Sequence, residues 1–198
     1  MRDEGLLLLR TAVGSAVAAH GAQKMFGAFD GPGIDGAAKG FEERFALEPG
    51  RPMAMIASAV ELAGGAATVL GIGGPLAPLA LAANMAVAGA VGHAGKPFFA
   101  QAGGPELPYV YSAANGALAL TGFGRLSVDR LLGLRVSKGI ALAVAGASAV
   151  SAATIIIRAR RAQAHDAAPE GAGAAGATAA ETTGADTTAA PLASASGL

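Results

Sequence analysis

Six polar side chains stand inside, or at the ends of, otherwise apolar segments: His20, Lys24, Glu61, Asn84, His93 and Asn115. An ionised group in hydrocarbon costs about 2.5–3.5 kcal/mol even on the mildest scale, so such groups face the protein interior or a watery cavity. Glu61 is the sharpest case. It is expected either to be protonated or to pair with Lys24 or His20. Together the six offer donors, acceptors and exchangeable protons, which suits a ligand bearing carbonyl oxygens or a relay of protons. Each also has a plainer role. Glu61, Asn84 and Asn115 could fix helix packing through hydrogen bonds. His20 and Lys24 could mark a helix end at the membrane surface. His93 precedes Gly95-Lys96-Pro97 and reads as a helix C-terminus. His165 lies in a polar tail and is given no role.

Five apolar stretches must position these residues. They run from about Gly5 to Met25, Pro52 to Ile72, Pro75 to His93, Pro105 to Phe123 and Gly139 to Ile157. Each is near the roughly 20 residues that cross about 30 Å of hydrocarbon. The fourth is the weakest, because its apolar part is only Tyr109 to Phe123. Ala16-Val17-Ala18 resembles a signal-peptidase site. Asp3 and Glu4 before the run, and Arg10 within it, favour a first membrane helix instead. Gly73-Gly74-Pro75 predicts a tight turn between the second and third stretches. Glu61 is twelve residues before Gly73 and Asn84 eleven after it. At 1.5 Å per residue both lie about 17 Å from that turn, on adjacent antiparallel helices. His20, Lys24 and His93 fall in the half of the bundle away from the turn, and Asn115 is placed near the same depth.

Composition agrees with a membrane solvent. Of 198 residues 53% are hydrophobic and 14% charged, against about 25% charged in an ordinary soluble domain. The net charge is zero, so nothing points to nucleic acid. There is no Cys, which removes disulfides, thiol redox chemistry and thiolate metal sites. No phosphate loop, nucleophile elbow or metal-spaced acidic set is present, and no metal or intrinsic cofactor is expected. A haem held by His20 and His93 has no support from either sequence context. Basic residues divide six to eight between the two sides, which leaves the orientation open.

Small residues predict close helix contacts: Gly14 with Ala18, and Gly64 with Ala67 and with Gly71 further on. Arg10, Gly64, Gly65, Ser127 and Asp129 are read as structural. Ser127 is expected to cap a short surface helix through Leu132, with Asp129 paired to Arg125 or Arg130. Phe26 to Arg51 reads as a loop of Gly, Pro and mixed charge. From Ala162 onward the chain lacks large apolar side chains and is expected to be disordered.

The order and spacing of several short pieces resemble the DoxX family of small membrane proteins. They are Leu9-Arg10 leading to His20-Gly21-Ala22-Gln23-Lys24-Met25-Phe26-Gly27, then Glu61-Leu62-Ala63-Gly64-Gly65 with Leu70-Gly71. His93 with Phe98-Phe99, Glu106 before Tyr109, and Gly122 to Asp129 complete the set. The resemblance covers about residues 6 to 132. It implies a transmembrane four-helix bundle, multi-pass in a bacterial cytoplasmic membrane. The family's name derives from a subunit of a thiosulfate:quinone oxidoreductase, and relatives are linked to thiol and oxidative-stress redox complexes. The reading of the chain is therefore all-α. It has a DoxX-like four-helix membrane domain (1–132), a fifth transmembrane helix with a basic end (133–161) and a disordered tail (162–198).

Three functions stay open at this stage. One is a membrane subunit of a quinone-linked redox complex, in which Glu61, His20, Lys24 and Asn84 contact a quinone and a partner protein supplies electrons. The second is a non-catalytic scaffold that anchors a soluble redox partner through 26–51 and the basic residues at 158–161. The third is a carrier for a small solute.

Overall fold

The structure, a computed structural model, describes residues 1–166. Seven α-helices follow one another among the described residues: α1 (Arg2–Phe26), α2 (Gly33–Phe45), α3 (Gly50–Leu70), α4 (Leu76–Val87), α5 (Glu106–Thr121), α6 (Val128–Leu132) and α7 (Lys138–Asp166). A wider, π-helical turn at Ala88–Gly92 extends α4 to His93. Among the described residues three helices are long and apolar enough to cross a membrane: α1, α3 and α7. Leu76–Gly92 is apolar but shorter. Met1–Ala164 form one compact unit, and residues 133–161 belong to it. The second unit begins at His165, and only its first two residues, the end of α7, are described.

Helix ends follow local chemistry. Asp3 and Glu4 occupy the first turn of α1 and Lys24 its last, each sign complementing the helix dipole. Gly27 ends α1 and Gly71 ends α3, both left-handed, with their amides closing onto carbonyls of the last turn. Pro49 stands just before α3 and Pro52 falls in its first turn, where a missing N–H costs nothing.

The tightest joint is between α1 and α3, which run antiparallel. A Cβ on Gly14 would lie 2.8 Å from the Gly65 carbonyl oxygen, and one on Gly65 would lie 2.6 Å from the Ala18 amide. A Cβ on Gly21 would lie 2.5 Å from the Leu62 amide. Gly14 thus makes the close approach expected of it, and Gly65 and Gly21 are contacts that the sequence reading missed. Gly64 instead meets the Leu81 side chain of α4. In lipid, where tails are as apolar as the helices, such backbone proximity is a main source of association. Val13, Val17, Leu81 and Met85 form the buried cluster beside this joint. The hydroxyl of Ser112 donates to the Ala82 carbonyl (2.9 Å) and ties α5 to α4.

Several expectations need correction. Residues 26–51 are not a plain loop, because α2 lies within them and packs on α3. Its Phe41 and Phe45 rings stack at 4.8 Å, an i,i+4 pair on one face. Glu42 accepts the Gly50 amide (2.8 Å), closing the α2–α3 connection. Asp129 does not pair with Arg125 or Arg130. Its two carboxylate oxygens accept the amides of Gly73 (2.9 Å) and Gly74 (2.6 Å), because the α3–α4 turn leaves these donors without helical partners. Ser127 caps α6 as expected, accepting the Arg130 amide at 3.3 Å. The disorder expected of the tail from residue 162 does not hold for 162–166, because α7 carries its helix through Asp166. The rest of that tail, 167–198, lies outside the described residues.

Candidate functional site

Because Gly21 lets α1 ride on α3, the next turn of α1 brings Lys24 to Glu61. The ammonium donates to both carboxylate oxygens. Glu61 is 1% exposed and Lys24 is 28% exposed. From α4, Asn84 Nδ2 donates to Glu61 Oε1 at 3.0 Å. A buried carboxylate is thus matched by one charge and three hydrogen bonds, the condition under which such a group is tolerated away from water.

Two cavities flank this network. One, of about 350 Å³, lies between the end of α1, the π-helical turn and the start of α5. Its polar lining is His20, Lys24, Arg44, Glu61, His93 and Tyr111, and its apolar lining includes Phe45, Met85 and Leu107. The other, of about 300 Å³, lies under α2 and is lined by Lys24, Glu61 and Asn84 with Phe41, Phe45 and Val87. Lys24, Arg44, Phe45, Glu61 and Ala88 belong to both, so the ion pair stands at their common wall. The π-helical turn supplies Ala88 and Gly92 to the first cavity, and the Phe45 ring closes on Gly92. Such turns open the helix where a side chain must be re-aimed.

His20 does not pair with Glu61. Its Nδ1 is 3.1 Å from the Gln23 side-chain oxygen, and its ring meets Tyr111 edge-on at 6.2 Å. It shares the larger cavity with the ion pair nonetheless. His93 ends the α4 extension, as a C-terminal residue should. Its Nδ1 is 2.7 Å from the Gly103 carbonyl. A carbonyl only accepts, so Nδ1 carries a proton there, and in the neutral ring Nε2 is left as an acceptor. Asn115 stands apart from the other five. It is fully buried, its Nδ2 donates back to the Tyr111 carbonyl (2.9 Å), and it lines neither cavity. Its role is within α5.

Sequence reasoning missed Arg44, Phe45 and Tyr111. Among the described residues the Arg44 guanidinium has no ion-pair or hydrogen-bond partner, and it lines both cavities. The Phe41/Phe45 spacing was the available signal for α2. Among the described residues no three His, Cys, Asp or Glu side chains gather to hold a metal ion.

Apolar helices of spanning length around a buried, matched ion pair define a helical integral membrane protein. The DoxX family model matches residues 5–94, so this segment is similar to the DoxX family, in support of the resemblance. The matched residues contain α1 from Gly5 onward, α2 to α4 and all of the Lys24–Glu61–Asn84 network; α5, α6 and α7 lie outside them. No curated protein and no solved structure matches the chain.

Proposed function

We propose that this protein is the membrane subunit of a quinone-linked redox complex and that the headgroup of a lipid-soluble quinone binds in the cavity beside Glu61. The observation that carries the reading is the Lys24–Glu61–Asn84 network at the wall of a cavity of about 350 Å³ whose other surfaces are largely apolar. Ligand sites of this kind are mostly apolar with a few convergent polar groups. A quinone needs a donor at a carbonyl oxygen, and Lys24 is a donor already oriented by its carboxylate. Reduction to the quinol takes two electrons and two protons. Lys24 gives one proton and is reprotonated through Glu61; His20, on the same cavity, gives the other. With no Cys in the chain, the two electrons come from a soluble redox protein that docks on this subunit. The π-extended α4, α5, α1, α3 and α7 cross a bacterial cytoplasmic membrane in this reading, and α2 and α6 lie at its surfaces.

Titration of purified protein in lipid nanodiscs with a long-chain quinone tests the proposal. Lys24→Gln is expected to weaken binding about tenfold, the equivalent of one hydrogen bond to a charged group at ~1.4 kcal/mol. Binding unchanged in both Lys24→Gln and Glu61→Gln sinks the reading and favours a scaffold without ligand chemistry.

A further inference from the structure

The segment from Gly122 to Lys138 meets the ends of three helices of spanning length. Asp3, in the first turn of α1, accepts the Arg125 amide at 2.8 Å. The carbonyl of Gly71, which ends α3, accepts the Asp129 amide at 3.1 Å. Lys138 begins α7. Helices α1, α3 and α7 are each long and apolar enough to cross a membrane, so this segment, α6 included, lies at the boundary between hydrocarbon and water. Its side chains suit that boundary. Leu126, Leu131, Leu132 and Leu134 are exposed, and Arg125, Arg130, Arg135 and Lys138 are interspersed with them, also exposed. In such a mixture the apolar side chains enter the acyl edge and the cations meet the headgroups.

The acids nearby are already engaged. Asp3 serves the Arg125 amide, Glu4 pairs with the N-terminal ammonium, and both carboxylate oxygens of Asp129 accept the Gly73 and Gly74 amides. Among the described residues, the side chains of Arg125, Arg130, Arg135 and Lys138 form no ion pair or hydrogen bond. A cavity of about 320 Å³ opens here, and its charged lining is Asp129, Arg130 and Arg135. With Asp129 ionised the lining carries one net positive charge, which a single phosphodiester balances. We propose that this cavity binds the phosphate of an anionic phospholipid, with Arg130 and Arg135 as its cations and Leu131, Leu132 and Leu134 among its acyl chains. Guanidinium groups match phosphate oxygens in both geometry and charge. Basic pockets beside spanning helices hold anionic headgroups by the same physics. The exposed leucines select a lipid over a dissolved anion. A zwitterionic headgroup fits less well, since its own cation meets two arginines. The site lies at the opposite end of α1 from Lys24 and does not rest on the quinone reading.

The test uses the full chain in mild detergent, with native mass spectrometry reading the bound lipid. Phosphatidylglycerol is expected to bind at least about tenfold more tightly than phosphatidylcholine with the same chains. Arg130→Gln with Arg135→Gln is expected to bring the two lipids within about threefold of each other. Arg158→Gln with Arg161→Gln, at the far end of α7, is expected to leave the preference intact. All four arginines are exposed, so neither change removes a packed side chain. A phosphatidylglycerol with a diazirine on its headgroup is expected to crosslink within residues 122–138. Equal affinity of the unaltered protein for the two lipids overturns the proposal. So does a preference that survives loss of Arg130 and Arg135, or a crosslink confined to other segments. Displacement of the lipid by an equal concentration of glycerol phosphate marks a site for dissolved anions and overturns the lipid as its occupant.

Discussion

Helix α1 carries two basic residues into the bundle, and the protein treats them differently. Arg10 is 3% exposed and, among the described residues, forms no ion pair with a carboxylate. Its Nη2 donates to the Leu126 carbonyl, and its guanidinium faces the Phe123 ring at 5.9 Å. Gly71 presses so close that a Cβ there would lie 1.7 Å from Nη1. Lys24, at the other end of the helix, meets a carboxylate at the wall of two cavities. Arg10 is spent on joining α1 to the end of α3 and to the 123–127 segment. Lys24 lines both of those cavities and is the donor in the proposed quinone site. The contrast teaches that burial of a charge is not in itself a sign of function. What distinguishes the Lys24 end is a matched pair that lines two cavities, whereas the cavity of about 320 Å³ at the other end is lined by Phe123, Ser127 and Asp129 and not by Arg10.

The comparison can be broken most forcefully at the ion pair. Removing Lys24 leaves Glu61 buried without its charge partner, so Lys24→Met is expected to lower stability by about 3–5 kcal/mol. Glu61→Gln is expected to cost less, because Lys24 is 28% exposed and its stem can carry the ammonium toward water. Thermal unfolding in mild detergent checks the order, and equal losses would contradict the asymmetry. The double change Lys24→Met with Glu61→Leu is expected to recover most of the loss, since no charge is then left unmatched.

At the Arg10 end the expected effect is smaller and of another kind. Gly71→Ala adds a Cβ against Arg10 at a left-handed position, and a cost of about 2 kcal/mol follows from strain and displacement of the guanidinium. Quinone affinity is expected to stay within twofold of wild type, because the substitution leaves the Lys24 end intact. A parallel loss of affinity and stability would show that the two ends are one unit. The smallest effect is expected at Ser127→Ala, which removes the α6 cap and about 1 kcal/mol. A loss above about 3 kcal/mol would mean that the hydroxyl holds more than the Arg130 amide and the Gly124 carbonyl.

Much of the Lys24 end was legible from residue counting. Rise along a helix is fixed at about 1.5 Å per residue, so distances from Gly73 placed Glu61 and Asn84 at one level, and they do hydrogen-bond. Facing is harder to read, because it depends on how each helix is rotated against its neighbours. Asn115 has a comparable depth but bonds its own helix. His20 reaches the cavity without reaching Glu61. Helix α2 was hidden by its glycines at 33, 36 and 40, which weaken helix propensity and look like loop. Tertiary packing against α3 and the Phe41–Phe45 stack offset that weakness. Asp129 was assigned to nearby arginines because they are adjacent in sequence. The turn amides it serves come from a segment more than fifty residues earlier, which adjacency does not reveal.

The central claim is that Lys24 donates to a quinone carbonyl in the cavity beside Glu61. Infrared difference spectra of protein loaded with a quinone isotopically labelled at its carbonyls test it most directly. The account predicts one carbonyl stretch lowered in wild type and restored to its free frequency in Lys24→Met with Glu61→Leu. Identical carbonyl bands in the two proteins would contradict it.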